Sequence, residues 1–275
     1  INETQTNQVV WGRTYLPPIN NRDRHVKSLL KQKGLFVKSF PGHLLFEPWS
    51  VSPKSSEFFK VYTPFWKATR LKDPMGYEAK VSEITGIDEK LYSERLEDWH
   101  LGKEMSRGSH VVRRFVRLGE DAARERLSHF ISNNVMNYST SRDIPSVDGT
   151  SGLSENLSLG EISPIECWNA GLKALEEGQD AAEIFLKELV WREFAYHLAH
   201  HTPRILDSNW RPEWNSFPWN TNDQDERVIR WRQGRTGIPF VDAAMRELYV
   251  TGRMHNRGRM IVASFLTKHL MTHWK

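Results

Sequence analysis

The spacing of apolar and polar positions changes twice along this chain. Val9, Val10 and Trp11 form a short apolar run that predicts a strand. Residues 20–33 then repeat with helical spacing, which turns Val26, Leu29 and Leu30 inward, and Gly34 ends the pattern before a second strand-like run at Leu35, Phe36 and Val37. This β-α-β order predicts the tail of an α/β domain over residues 1–52. Between residues 42 and 107 the pattern is broken by Pro48, Pro53, Pro64 and Pro74 among mixed charges, and residues 53–107 read as a connector draped over the surface between two domains.

From residue 108 the period is helical throughout. Ala123, Leu127, Phe130 and Ile131 lie on one stripe, and Ser163-Pro164-Ile165-Glu166 has the form of a capping box with proline at the first helical position. Further helices are predicted over residues 181–200, 239–250 and 255–274, with no β-type alternation between them. Residues 108–275 therefore read as a mostly α-helical second domain. No internal repeat or low-complexity tract interrupts it.

Composition narrows this picture modestly. With 275 residues, 39% of them hydrophobic and 26% charged, the chain can bury a substantial core. A net charge of +4 and a pI near 9.1 permit a nucleic-acid partner, although an ordinary basic protein has the same balance. Eleven tryptophans are unusual and point towards stacking platforms or electron-transfer chains as well as core packing. Cys167 is the only cysteine, so no internal disulfide forms, and a reducing cytoplasm fits. No apolar run approaches the roughly 20 residues that span a bilayer. The start at Ile1 and the end at Trp274-Lys275, inside a helical pattern, read as those of a fragment.

Three constellations are candidates for chemistry. Glu188 stands three residues before Trp191 and four before Arg192, so one helical face carries a carboxylate, an indole and a guanidinium. That mixture suits a pocket for a flat, partly polar ligand, and an exposed ion pair beside a half-buried tryptophan explains it as simply. Asp148-Gly149-Thr150-Ser151-Gly152-Leu153-Ser154 places glycines and hydroxyls before a short helical stretch, which suits a diphosphate, while a Ser/Thr-rich helix cap is the plainer account. Tyr138, Arg142 and Asp143 precede this turn and are placed to close over a ligand. In Met254-His255-Asn256-Arg257-Gly258-Arg259-Met260, Asn256 and Met260 share one side of a helix, whereas Arg257 and Arg259 point apart. Metal, P-loop and nucleophilic-serine motifs are missing from the sequence, so hydrolysis by a metal or a serine has no support and no metal is expected.

These residues sit within a longer set of motifs: Phe46-Glu47-Pro48-Trp49, Tyr62-Thr63-Pro64-Phe65-Trp66, Ile162-Ser163-Pro164, Glu188 to Phe194, Thr236-Gly237-Ile238-Pro239 and Asp242-Ala243-Ala244-Met245-Arg246. In this order they resemble the photolyase and cryptochrome family nearly end to end, most of all the class I cyclobutane pyrimidine dimer photolyases. The resemblance implies a Rossmann-like α/β antenna domain, present as a remnant, followed by a helical domain that binds FAD. It implies that Tyr138, Thr150, Ser151, Gly152, Leu153 and Ser154 contact FAD, that Arg259 lies near the isoalloxazine, and that Phe185 stands where relatives often carry a tryptophan beside the flavin.

In such enzymes excited, reduced flavin donates an electron to a flipped-out pyrimidine dimer, the cyclobutane ring splits and the electron returns. By position, Glu188 then hydrogen-bonds the dimer, Trp191 stacks on it, and Asn256 and Met260 line its pocket, with Arg142, Arg192 and Arg257 at the DNA backbone or pocket edge. Photolyases that act on (6-4) products resemble this segment but carry histidines at the positions of Asn256 and Met260, which argues for cyclobutane dimers here. Trp274 matches the middle member of the family's photoreduction chain and Trp219 its surface member. The expected protein is a cytoplasmic, bacterial, monomeric DNA-repair enzyme with a folate or deazaflavin as second chromophore. The alternative is a cryptochrome-type blue-light receptor without repair activity, because the fold is common to both.

Overall fold

The computed structural model describes residues 3–74, 83, 86 and 91–275, so part of the expected connector lies outside the described residues. In chain order the main elements are β1 (Gln8–Gly12), α1 (Pro17–Gln32), β2 (Phe36–Phe40), α2 (Tyr62–Thr69), α3 (Arg107–Val112), α4 (Glu120–His129), α5 (Tyr138–Ser141), α6 (Ser154–Leu159), α7 (Pro164–Glu176), α8 (Ala182–His201), α9 (Glu226–Arg232), α10 (Pro239–Thr251) and α11 (Asn256–Ser264). They form two compact units: Ile1–Ser93 with Gly119–Tyr138 and Ser151–Leu206, and Glu94–Leu118 with Ser139–Thr150 and Asp207–Lys275. The chain leaves and re-enters each unit, so these units cut across the expected divisions at 52 and 107.

The β-α-β segment is present. β1 and β2 pair in parallel, with Val9 opposite Val37, and α1 connects them. Pro17 and Pro18 start α1 three residues before the predicted first turn, because proline's fixed φ suits the opening of a helix. The inward stripe is not seen: Val26 and Leu29 are 39% and 45% exposed, Leu30 is half-buried and α1 buries no residue. Two strands and one helix offer too little surface to enclose an apolar face, and Val10, Phe36 and Phe40 are likewise exposed.

The core of the first unit forms around α8. Leu186, Leu189, Val190 and Phe194 from α8 join Phe65 and Trp66 from α2, Ala123 and Leu127 from α4, and Cys167 and Trp168 from α7. The Pro-rich stretch is therefore more than a surface connector, since α2 inserts Phe65, Trp66 and Thr69. Ser163 caps α7 by accepting from the Ile165 N–H at 3.2 Å, as the sequence predicts. Glu166 does not complete the box; its carboxylate accepts from Arg124 Nε at 3.2 Å instead.

A polar ladder on α8 fastens the irregular segment that follows β2. Glu193, only 2% exposed, accepts the Leu45 and Phe46 N–H groups through Oε2 at 2.8 and 3.2 Å, and Arg192 Nη1 through Oε1 at 3.0 Å. One turn on, buried His197 has Nδ1 3.0 Å from the Pro48 carbonyl and Nε2 3.2 Å from the Phe59 N–H, which fixes a neutral tautomer with its proton on Nδ1. His201 reaches the same carbonyl at 3.2 Å. Opposite them Glu47, itself buried, pairs with Arg13, whose other nitrogen donates to the Ser39 carbonyl at 3.1 Å.

A second brace shapes the turn before α6. Buried Arg126 of α4 donates through Nη1 to the Gly152 carbonyl at 2.8 Å, Glu155 Oε1 at 2.6 Å and Asn156 Oδ1 at 3.0 Å. Asn156 in turn donates to Glu161 at 2.7 Å. In the second unit α10 packs on α11, with Val241, Ala244, Met245, Met254 and Val262 forming a smaller core. The predicted helix over 255–274 stops early: α11 ends at Ser264, the backbone widens into a π turn over Phe265–His269, and Met271 takes φ 49°. Thr272 then bridges to Asn220, a partner that the periodicity of the segment alone cannot reveal.

These buried groups give stability a definite dependence on pH. Burial pushes the Glu193 carboxyl up to about 7 from the ordinary 4.5, so in that window the folded protein holds a proton that the unfolded chain has lost, and this contribution falls as pH rises from about 4.5 to about 7. Burial, with His201 next, lowers His197 from 6.5 to about 4, so its contribution is lost as pH falls through that range. His43 and His200 are lowered for the same reason and add to the histidine side. The opposed slopes offset each other between about 4.5 and 6.5. E193Q removes one of them: urea denaturation should show the variant losing stability towards acid more steeply than the wild type, and parallel pH profiles would contradict the assignment. Replacing Arg126 with methionine should cost about 3 kcal/mol in the same measurement, because Glu155, the half-buried Gly152 carbonyl and buried Asn156 lose their common donor.

Candidate functional site

On α8 the three residues singled out in the sequence take different surroundings. Trp191 is 46% exposed and lies parallel to Tyr62, with ring centroids 3.7 Å apart and an interplanar angle of 6°. Phe194 meets the indole edge-on at 5.8 Å. With one face on Tyr62 and nearly half its surface open, Trp191 presents the opposite ring face as an aromatic platform. Glu188, half-buried, stands one turn earlier on this helix. Arg192 has turned from that edge: besides Glu193 it donates to His43 Nε2 at 3.0 Å and lies over the Tyr196 ring at 5.3 Å. An Arg192–Glu188 pair is thus replaced by an inward contact with a carboxylate that costs more to leave alone.

Tyr138 and Phe185 form a buried aromatic cluster with Phe130, which meets Tyr138 edge-on at 5.2 Å and Phe185 at 4.9 Å. Leu153 is also core, at 2% exposed. Their position suits the wall of a site, with packing as their present contact. Ser151 is half-buried and Ser154 is exposed at the first turn of α6, while Gly152 takes φ 60°, a conformation that glycine adopts without a Cβ clash. The Arg126 brace takes the Gly152 carbonyl and the Glu155 carboxylate, and leaves the Ser151 and Ser154 hydroxyls without a hydrogen bond among the described residues. Such a donor set fits a diphosphate.

Thr150 belongs to the second unit. There Gly149 packs so closely on Ser141 that an added Cβ would stand 2.6 Å from the Ser141 Cβ, and the Ser141 hydroxyl is buried without a hydrogen-bond partner. Arg142 lies 3.7 Å from Asp143. Asp143 also receives Arg257 through Nε at 3.0 Å and Nη2 at 2.7 Å, which ties the 139–150 segment to the start of α11. His255 caps α11 by accepting the Arg257 N–H at 3.1 Å, with its Nε2 buried and unpartnered. Asn256 and Met260 are both exposed, and their Nδ2 and Sδ atoms stand 4.0 Å apart, as their spacing predicts. Arg257 also reaches Met260 Sδ at 3.4 Å, whereas Arg259 turns to the Met254 carbonyl at 3.1 Å, so the two arginines diverge as expected.

Trp274 lies ten residues beyond the end of α11, outside the helix expected to reach it. It stacks on His273 at 5.6 Å, and His273 meets Trp219 edge-on at 5.8 Å, so an imidazole stands between the two indoles. Trp219 donates to the Trp214 carbonyl at 2.8 Å. His273, Tyr62, Arg126 and Glu193 are the residues whose roles the spacing did not disclose. Glu193 and Tyr62 fall inside motifs already noted, but neither motif names its partner. A shallow groove along α4, lined by residues that include Asp121, Glu125 and His129, contains none of the candidates. Among the described residues no group of three His, Cys, Asp or Glu is placed to hold a metal ion, and no helix is long and apolar enough to cross a membrane.

Known proteins match the chain along its length. Residues 1–80 match the family described as DNA photolyase, and residues 185–275 match the FAD binding domain of DNA photolyase. The chain is 40% identical to a deoxyribodipyrimidine photo-lyase of Agrobacterium fabrum over 100% of its own length and 57% of that protein's. It is 31% identical to cryptochrome-2 of Arabidopsis thaliana, over 100% of this chain and 47% of that one. A crystal structure of a bacterial class III photolyase from Agrobacterium tumefaciens superposes with a TM-score of 0.93 at 39% identity, covering 99% of this chain and 57% of that one. The chain thus spans a little over half the length of these photolyases. The expectation of class I is not confirmed, since the solved structure that matches at 39% identity is a class III photolyase. Two separated segments matching one family in order, within a chain that aligns end to end with its relatives, place it: the chain belongs to the DNA photolyase and cryptochrome family.

Proposed function

We propose that the full-length protein is a deoxyribodipyrimidine photo-lyase that uses light to split cyclobutane pyrimidine dimers in DNA, and that its affinities lie with class III. The observation that carries this reading is Trp191, a half-exposed indole backed by a parallel ring one turn from Glu188. An aromatic platform with a nearby carboxylate suits a pyrimidine dimer flipped out of the helix, and a lesion that pairs poorly costs less to extrude. Identity of 40% to a deoxyribodipyrimidine photo-lyase and 39% to a class III photolyase supports both the activity and the class.

The residues take these roles in the proposal. Trp191 stacks on the dimer and Glu188 hydrogen-bonds it; Asn256 offers an amide and Met260 a polarizable thioether to the same substrate. Arg142, Arg192 and Arg257 serve phosphates or the pocket edge, with Arg257 already steadied by Asp143. Thr150, Ser151 and Ser154 hold the FAD diphosphate by their hydroxyls, Gly152 and Leu153 shape that turn, Tyr138 and Phe185 form an aromatic wall, and Arg259 supplies positive charge by the isoalloxazine. Bound and fully reduced, FAD supplies the photoexcited electron that opens the cyclobutane ring. Trp219 and Trp274 carry electrons inward when the cofactor must be reduced. The α/β segment belongs to an antenna domain, Rossmann-like in plan, for a folate or deazaflavin chromophore. The protein acts as a monomer in a bacterial cytoplasm.

The deciding experiment is blue-light repair of a thymine dimer in an oligonucleotide by the full-length protein with reduced flavin, against a dark control. Light-dependent recovery of the thymines is expected; bound, reducible flavin without repair would favour a cryptochrome-type receptor. In the same system W191A should weaken binding to damaged DNA by about 1–3 kcal/mol, the range for loss of one base-aromatic stack. Unchanged affinity would remove Trp191 from the substrate platform.

A further inference from the structure

We infer that Tyr62 is a positioning residue for lesion recognition, holding the Trp191 indole flat and in place before the substrate arrives; this rests on the stacking role proposed for Trp191. A tryptophan that is 46% exposed ordinarily has several rotamers open to it, and ordering it on binding costs free energy that an already fixed ring does not incur. Here the indole is confined on two sides. Tyr62 lies parallel to it at 3.7 Å and Phe194 closes on its edge at 5.8 Å.

Tyr62 is itself held at three points. Its backbone opens α2, next to the extended N-cap residue Val61. Its hydroxyl donates to the Lys187 carbonyl at 2.7 Å, across to α8 itself, and its ring meets Phe194 edge-on at 5.9 Å. Burial, and then the charges of Glu188 and Glu183, raise the phenol's pKa, so the hydroxyl keeps its proton and remains a donor. One end of α2 thereby grips α8 four residues before Trp191, and the ring between the two anchors sets the plane of the indole. A two-ring stack results, with Tyr62 half-buried and Trp191 exposed. Phe65 and Trp66, buried behind Tyr62, make the mount stiff.

The test is a double-mutant cycle on Tyr62 and Trp191 in the full-length protein, with oligonucleotides carrying or lacking a thymine dimer. Y62F keeps the ring and should stay within about twofold of wild-type lesion affinity. Y62M fills similar space without a flat ring and should lose roughly two- to tenfold for the lesion, the cost of ordering one freed side chain, with affinity for undamaged DNA unchanged. In a W191A background Y62M should add no further loss. Full lesion affinity in a folded Y62M, where W191A is impaired, overturns the positioning role; so does an undiminished Y62M effect without Trp191. Wild-type lesion affinity in W191A overturns the platform itself, a separate failure. Should Y62M not fold, fluorine NMR of fluorotryptophan-labelled wild-type protein, with Trp191 assigned by its loss in W191A, decides: one sharp resonance is expected, and exchange between rotamers without DNA overturns the proposal.

Discussion

The buried carboxylate of Glu193 is the contact on which the first unit depends. The segment at residues 44–48 has no regular secondary structure, yet Leu44, Leu45 and Phe46 are core residues. Burying irregular backbone leaves amide groups that must find partners. Glu193 answers two of them with one oxygen, and His197 and His201 take the Pro48 carbonyl. Without an acceptor at position 193, burying these apolar side chains would strand two N–H groups, and the cost would offset much of what the side chains contribute. Arg192 keeps the carboxylate from being a lone charge, though burial still raises its pKa. Specificity of docking, more than net stabilisation, is what such a contact provides, since an irregular segment fits only the register in which its amides are met.

Several features were legible because they are local. The Ser163 cap, the two strands, α8 and α10, and the Asn256–Met260 pairing follow from the preferences of a few adjacent residues and from helical spacing. What escaped was set by partners distant in sequence. Val26 and Leu29 have the right period for burial, but periodicity names an apolar face and not what covers it. Phe65 and Trp66 sit among prolines, which mark breaks in regular structure and say nothing of depth. The helix through residue 274 was expected because no glycine or proline follows Gly258 to stop it; a π turn and a bridge from Thr272 to Asn220 end it instead. At the candidate site the same division holds. The identity of Trp191 and Glu188 was plain, but the stacked Tyr62 lies 129 positions before Trp191, and Arg192 chose a neighbour over the expected face.

The two roles of α8 are compatible because of its pitch. At about 100° per residue, Glu188 and Trp191 project within roughly 60° of one another, while Glu193 projects some 140–160° from both. The ladder of Glu193, His197 and His201 advances by four residues and so stays on the docking side. One helix therefore fastens the backbone of residues 44–48 with one face and offers a carboxylate and an indole with the other. The demands of the two faces differ: the docking side needs complete hydrogen bonding in a dry setting, and the open side needs a ring that keeps its place while exposed to water. Tyr62 supplies the second condition from α2, whose Phe65 is in turn held against Phe194 and His197 of the docking side. The open face is thus backed by the closed one, and in the role proposed for Trp191 a ring already held in place avoids the cost of being ordered when a substrate arrives.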